Sequence, residues 1–130
     1  MFIKTTRHIK VTAIPHYLAD HSDPGEDHYV WAYTIELENL GDKPVQLIKR
    51  HWHITDAQGM VQEVRGDGVV GEQPIIAPNQ SYRYTSGTAL STPSGVMKGE
   101  YSMLSHDGEG FDVTIPIFSL DSLEQKQRPN

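Results

Sequence analysis

Cysteine is absent from all 130 residues. That single absence removes disulfides, a thiol nucleophile and thiolate metal ligation. A chain that needs no disulfide suits a reducing compartment, so cytoplasmic residence is the simplest expectation. Long apolar runs are missing as well. No stretch approaches the roughly eighteen residues that mark a membrane span, and residues 1–10 carry charge without a signal-peptide core. No membrane role is expected. Positive charge is scarce: 11 Lys and Arg against 17 Asp and Glu leave a formal charge of -6, and only Lys49-Arg50 are adjacent. Such a domain repels a phosphate backbone on average, which argues against nucleic acid as the partner. The chain also lacks a sustained 3.6-residue apolar stripe, an internal repeat, a G-x-S-x-G elbow and an H-E-x-x-H pair. Its histidines and carboxylates show no spacing that sets a base beside a nucleophile, so no enzyme is expected.

Period two dominates what is present. Tyr29, Trp31, Tyr33, Ile35 and Leu37 share one face of a strand, with Val30, Ala32, Thr34, Glu36 and Glu38 on the other. Asn39-Leu40-Gly41-Asp42-Lys43-Pro44 has turn chemistry. Residues 45–56 read as a strand with no cleanly apolar face, joined through Ala57-Gln58-Gly59 to another over 60–65. Further strands are expected over 81–87, 95–104 and 111–117, where Phe111, Val113, Ile115 and Ile117 alternate. Ile9, Val11 and Ala13 start the set, and 16–28 reads as a polar loop. About seven or more short strands between turn signals predict an all-β, antiparallel two-sheet sandwich, with a closed barrel as competitor. The long stretch 66–79 favours the sandwich, since it can carry the chain between sheets. Residues 1–120 form the expected domain, and 121–130 a polar, flexible tail.

Within that stretch, Gly66-Asp67-Gly68-Val69-Val70-Gly71 has the G-x-G-x-x-G spacing of pyrophosphate-binding turns. A dinucleotide fold requires a helix immediately afterwards. Pro74 and Pro78 bracket Ile75-Ile76-Ala77 and leave no room for one. A weaker version remains, in which successive amides near Gly66, Gly68 and Gly71 form an anion nest beside Arg65. Asp67 and Glu72 oppose it. The structural alternative is a tight crossover, with Val69, Val70 and Ile75 plugging the sandwich end.

His51 and His53 are two apart on a strand and therefore point to one side, as β-sheet metal ligands do, while Trp52 points to the core. Spacing names no third ligand. Asp20 to His28 concentrates oxygen and imidazole ligands but lacks the alternating pattern of a calcium loop.

Taken in order, Arg50-His51-Trp52, Ile54-Thr55-Asp56, Gly66 to Pro74, Tyr84-Thr85-Ser86-Gly87, Thr92-Pro93-Ser94-Gly95 and Gly99-Glu100-Tyr101-Ser102-Met103 resemble the ApaG family. The resemblance runs from about Val11 to Phe118 and implies an immunoglobulin- or fibronectin-III-like β-sandwich. It implies small bacterial proteins whose domain also occurs in eukaryotic F-box and polymerase-interacting proteins. It brings an association with cobalt resistance and magnesium efflux, and with a neighbouring diadenosine-tetraphosphate hydrolase gene. His53 departs from the apolar residue expected there, so a His51–His53 metal pair lies outside what the resemblance supports.

The expected function is a non-catalytic binding module without cofactor, recognising a protein partner and existing as a monomer or homodimer. Its contact surface is expected at Arg50, His51, Gly66, Gly68, Gly71, Glu72, Gln73 and Arg83, since long loops are commonly functional. The alternative is a sensor of a polyphosphate nucleotide or a divalent cation at the Gly66–Gly71 loop.

Overall fold

A computed structural model of the chain describes residues 1–122. It contains β1 (Phe2–Thr6), β2 (Ile9–Tyr17), β3 (Tyr29–Asn39), β4 (Val45–Asp56), β5 (Val61–Asp67), β6 (Ile75–Ile76), β7 (Ser81–Leu90), β8 (Ser94–Ser105) and β9 (Gly110–Asp121). Two antiparallel sheets result, ordered β1-β2-β3-β7 and β5-β4-β8-β9, with β6 also paired to β4. This is the expected sandwich, its strands following the two-sheet order of immunoglobulin-type folds. Alternation builds the interior: Trp31, Tyr33, Ile35 and Leu37 of β3 are buried against Trp52 and Ile54 of β4, Tyr101 of β8, and Phe118 of β9. Trp52 meets Tyr33 and Phe118 edge-on, at 5.3 and 6.0 Å between ring centroids.

Two bulges explain where simple alternation fails. The β4–β8 register slips between Leu47 and Lys49. Val45 and Leu47 face inward before the slip, and Trp52 and Ile54 after it, so each strand face is apolar for only half its length. In β9 the register slips opposite Met97 and Gly99, beside Pro116. Val113 and Ile115 are buried before it, Phe118 and Leu120 after it, and Ile117 is turned outward at 63% exposure. The alternation expected to carry Ile117 inward is thereby corrected.

β1 was not legible as a strand. It joins β2 through Arg7 and His8, both at positive φ (48° and 70°), a two-residue hairpin turn without its usual glycine or asparagine. The 16–28 segment is partly strand, because β2 continues to Tyr17, and it then holds short 3-10 turns at Ala19–His21 and Pro24–Glu26. The stretch 66–79 does carry the chain from the five-stranded sheet to β7. Its plug is Val69 and Ile76, not the expected Val69, Val70 and Ile75: Val70 and Ile75 are 56% and 70% exposed. Asp121 and Ser122 belong to the folded sandwich, with the Trp31 indole donating to the Asp121 carbonyl at 3.0 Å and Ser122 buried. The rest of the expected tail, 123–130, lies outside the described residues.

Candidate functional site

The bulge in β4 is where the glycine-rich segment leaves the sheet. β5 pairs with β4 as far as Asp67 opposite Lys49, and β6 resumes pairing at Ile75 opposite Gln46. Between them, residues 68–74 arch away and are stitched back to the bulge. The Gly68 amide donates to the Ile48 carbonyl at 2.7 Å, the Gln73 side-chain amide donates to the same oxygen at 3.0 Å, and the Leu47 amide donates to the Pro74 carbonyl. Val69 and Glu72 exchange both main-chain bonds around Val70 (φ 44°) and Gly71 (φ 82°), forming a two-residue hairpin turn. The amides of Gly68, Val69 and Glu72 are therefore committed to carbonyls of the protein itself. The Glu72 carboxylate accepts the Tyr82 hydroxyl at 2.6 Å, tying the turn to β7.

Arg50 shares the inward phase of Trp52, and its guanidinium lies over Gly66, where a Cβ would sit 2.8 Å from Nη1. Nη1 donates to the carbonyls of Asp67 and Gly68 at 3.1 and 2.9 Å. Among the described residues no carboxylate pairs with it. The guanidinium borders a cavity of about 200 Å³ at the open side of the sandwich, walled by Tyr33, Trp52, Tyr84 and Ser86 and lipped by Val69, Val70 and Gly71. Burial pushes the Tyr33 and Tyr84 hydroxyls up, partly opposed by hydrogen bonds to Ser86 and Tyr101 and by the Arg50 charge. Both are neutral donor-acceptors at physiological pH, and the Tyr84 and Tyr101 hydroxyls bond each other in the core.

His51 lies on the outer face of the same strand. Its Nδ1 is 2.7 Å from Glu100 Oε1 and its Nε2 is 2.9 Å from Glu63 Oε1, so both ring nitrogens face carboxylates. Hydrogen bonds to Glu63 and then Glu100 push the imidazole pKa up, and the His51 bond followed by that from Arg65 pulls Glu63 down. The His53 ring lies beside that of His51, tilted by 52°, with centroids 4.4 Å apart. A shallow groove of about 390 Å³ runs past His51, Lys49, Arg65, Glu100 and Asp112.

The sequence-derived candidates thus divide into three places. Arg50, Gly66, Gly68, Gly71, Glu72 and Gln73 gather around one loop; His51 and His53 lie on the outer face behind it. Arg83 is on neither, because it sits on the outer face of the other sheet, 3.7 Å from Glu36. Sequence reasoning did not reach Tyr33, Tyr84 and Ser86 as cavity walls, nor Glu63 and Glu100 as histidine partners. Only strand register brings those residues in, across separations that carry no local pattern. In the 20–28 loop, no three ligand atoms converge among the described residues.

Comparison with known proteins gives a consistent answer. The ApaG domain family matches residues 19–105. Protein ApaG of Paramagnetospirillum magneticum is 57% identical over 130 residues, covering 100% of both chains. Protein ApaG of Rhodospirillum centenum is 56% identical, also covering 100% of both. The crystal structure of the putative ApaA protein from Bordetella pertussis superposes with a TM-score of 0.87 at 46% identity, covering 88% of this chain and 94% of that one. Ordered motifs, strand topology and full-length similarity agree: the chain belongs to the ApaG family.

Proposed function

We propose that this protein is a non-catalytic interaction module of the ApaG type, working in the cytoplasm, which holds a protein partner where the glycine loop bridges the two sheets. Arg50 takes an acidic side chain of the partner, and the turn at Val70 and Gly71 lies against it. One observation carries this reading: a half-buried guanidinium donates through Nη1 alone, only to carbonyls, and faces a small aromatic-walled cavity. A partly desolvated cation with spare donors favours an anionic visitor. A cavity of about 200 Å³ suits one side chain, whereas pockets for whole small molecules run to roughly 300–1,000 Å³. Tyr33, Trp52 and Tyr84 supply walls of the kind that anchor interface residues. Any link to cobalt or magnesium homeostasis passes, in this reading, through the partner.

Affinity capture from the native cell, with partners identified by mass spectrometry, tests the proposal. A partner recovered by the wild type is lost with Arg50→Met and kept with Arg83→Ala, which lies on the other outer face. Equal recovery by all three proteins overturns it. Calorimetric titration with ATP, diadenosine tetraphosphate, Mg²⁺ and Co²⁺ discriminates the remaining class. Saturable heat abolished by Gly68→Arg favours the polyphosphate or cation sensor at the Gly66–Gly71 loop instead.

A further inference from the structure

We propose that His51, His53 and Glu63 form a three-ligand site for a divalent transition ion of the zinc type on the outer face of β4 and β5, with Glu100 orienting His51. The site is independent of the Arg50 reading, because it lies on the other face of β4 and uses none of the same side chains.

Among the described residues, these three are the one set whose ligand atoms gather closely, all within 4.8 Å of one another. The arrangement follows from the hairpin. His51 and His53 lie two apart on β4 and point to one side. Glu63 of β5 is directly opposite His53 in the ladder, so its carboxylate reaches both rings: 2.9 Å from His51 Nε2 and 4.0 Å from His53 Nδ1. Metal–nitrogen and metal–oxygen bonds of about 2.0–2.2 Å in a tetrahedron require ligand atoms about 3.3–3.5 Å apart. The two spacings to Glu63 lie on either side of that value and the whole set lies within 4.8 Å, so side-chain rotation has to draw the two imidazoles together.

Glu100 adds a second and separate feature. It approaches His51 from β8 on the opposite flank, at Nδ1, 2.7 Å away. A carboxylate there holds the proton on Nδ1 and leaves Nε2 as the lone-pair nitrogen aimed at the Glu63 side, the outer support that metal-bound histidines usually have. Two imidazoles and one carboxylate leave a fourth position for water or for a ligand atom of another molecule, and they suit zinc, copper or nickel. They do not suit Mg²⁺, which prefers oxygen ligands and keeps its water. The competing group is the Arg65 guanidinium, 3.3 Å from the same Glu63 oxygen; its side chain is 72% exposed and free to withdraw.

The experiment titrates Zn²⁺, and separately Mg²⁺, into the metal-stripped full chain by calorimetry, and follows the histidine ring signals by NMR. Zn²⁺ is expected to bind one-to-one and saturably, shifting the ring signals of His51 and His53 together, while Mg²⁺ gives no such shift. His53→Leu and Glu63→Gln should each weaken Zn²⁺ at least tenfold. Glu100→Gln, which removes only the orienting carboxylate, should weaken it about ten- to a hundredfold, and Arg65→Ala should leave it equal or tighter. The wild-type NMR result does not depend on any variant folding. Zn²⁺ that perturbs His16, His21 or His28 instead, or that binds His53→Leu as tightly as the wild type, overturns the site. So does Mg²⁺ binding with the same signature.

Discussion

Gly68 and Val70 both have positive φ, at 62° and 44°, and the chain tolerates them for different reasons. At Gly68 an added Cβ would collide with the Glu72 carbonyl, so the close approach that closes the turn requires glycine. Val70 is 56% exposed, so no close approach demands glycine there, but a β-branched residue in the left-handed region is strained. Gly68→Ala is therefore expected to lower stability by about 2 kcal/mol or more, whereas Val70→Asn, which restores the favoured Asn-Gly turn, raises it by about 1 kcal/mol. Urea midpoints measure both, and shifts of the same sign would contradict the turn geometry. Tyr82 has its own test. Desolvation and then the Glu72 carboxylate push its hydroxyl up to about 12 from an ordinary 10.0. A raised value in the folded state means the stabilisation is complete below about pH 10 and is lost as pH rises through about 12. Spectrophotometric titration should show Tyr82 ionising late, alongside the buried Tyr33, Tyr84 and Tyr101, and Glu72→Gln should bring one of these late groups only partway back, since desolvation remains. Ionisation of Tyr82 near 10 in the wild type would refute the hydrogen bond.

At the scale of the element, β4 is the strand on which the molecule turns. Its single extra residue at Ile48 shifts the face of everything after it, sending Arg50, Trp52 and Ile54 inward and His51 and His53 outward. The Ile48 carbonyl then receives the Gly68 and Gln73 donors that hold the loop. Deleting Ile48 would force either Val45 and Leu47 or Trp52 and Ile54 into water. Exposing two such side chains costs roughly 3–6 kcal/mol, much of the usual 5–15 kcal/mol of a domain. The deletion variant should lose its cooperative unfolding transition, while Ile48→Val should stay within about 1.5 kcal/mol of the wild type. A deletion variant that melts like the wild type would show that the bulge is dispensable. This element also shows the limit of reading strands by alternation. β3 is unbroken, so Trp31 to Leu37 declared its buried face in the sequence. β4 contained the same kind of residues, but its face changed midway and neither side looked apolar. β1 went unread because Arg7 and His8 adopt turn conformations that their residue types do not signal.

Across the whole molecule, each sheet is assembled from distant pieces: β3 pairs with β7, and β4 with β8, while one end is latched by Arg7–Glu109 and Lys43–Asp107 at 2.8 and 2.9 Å. Those pairs are exposed and screened by solvent, so they fix the turns against each other more than they stabilise the fold. Non-local pairing without helices is slow to nucleate, because loop closure must precede the contacts that reward it. Refolding followed through buried Trp31 and Trp52 should therefore take milliseconds to seconds; relaxation in microseconds would refute that expectation.

What the amino-acid order determined alone was the class of fold, the absence of a helix after the glycines, the family motifs and the shared side of His51 and His53. These depend on period, local backbone chemistry and adjacency, all of which act over a few residues. Tertiary structure decided which residues join them: Tyr33 and Tyr84 across the interior from Arg50, Glu63 and Glu100 on either flank of His51, and Arg83 away from all of them. Those neighbours are set by sheet register and by one extra residue in β4, and register is a property of paired strands that neither strand encodes by itself.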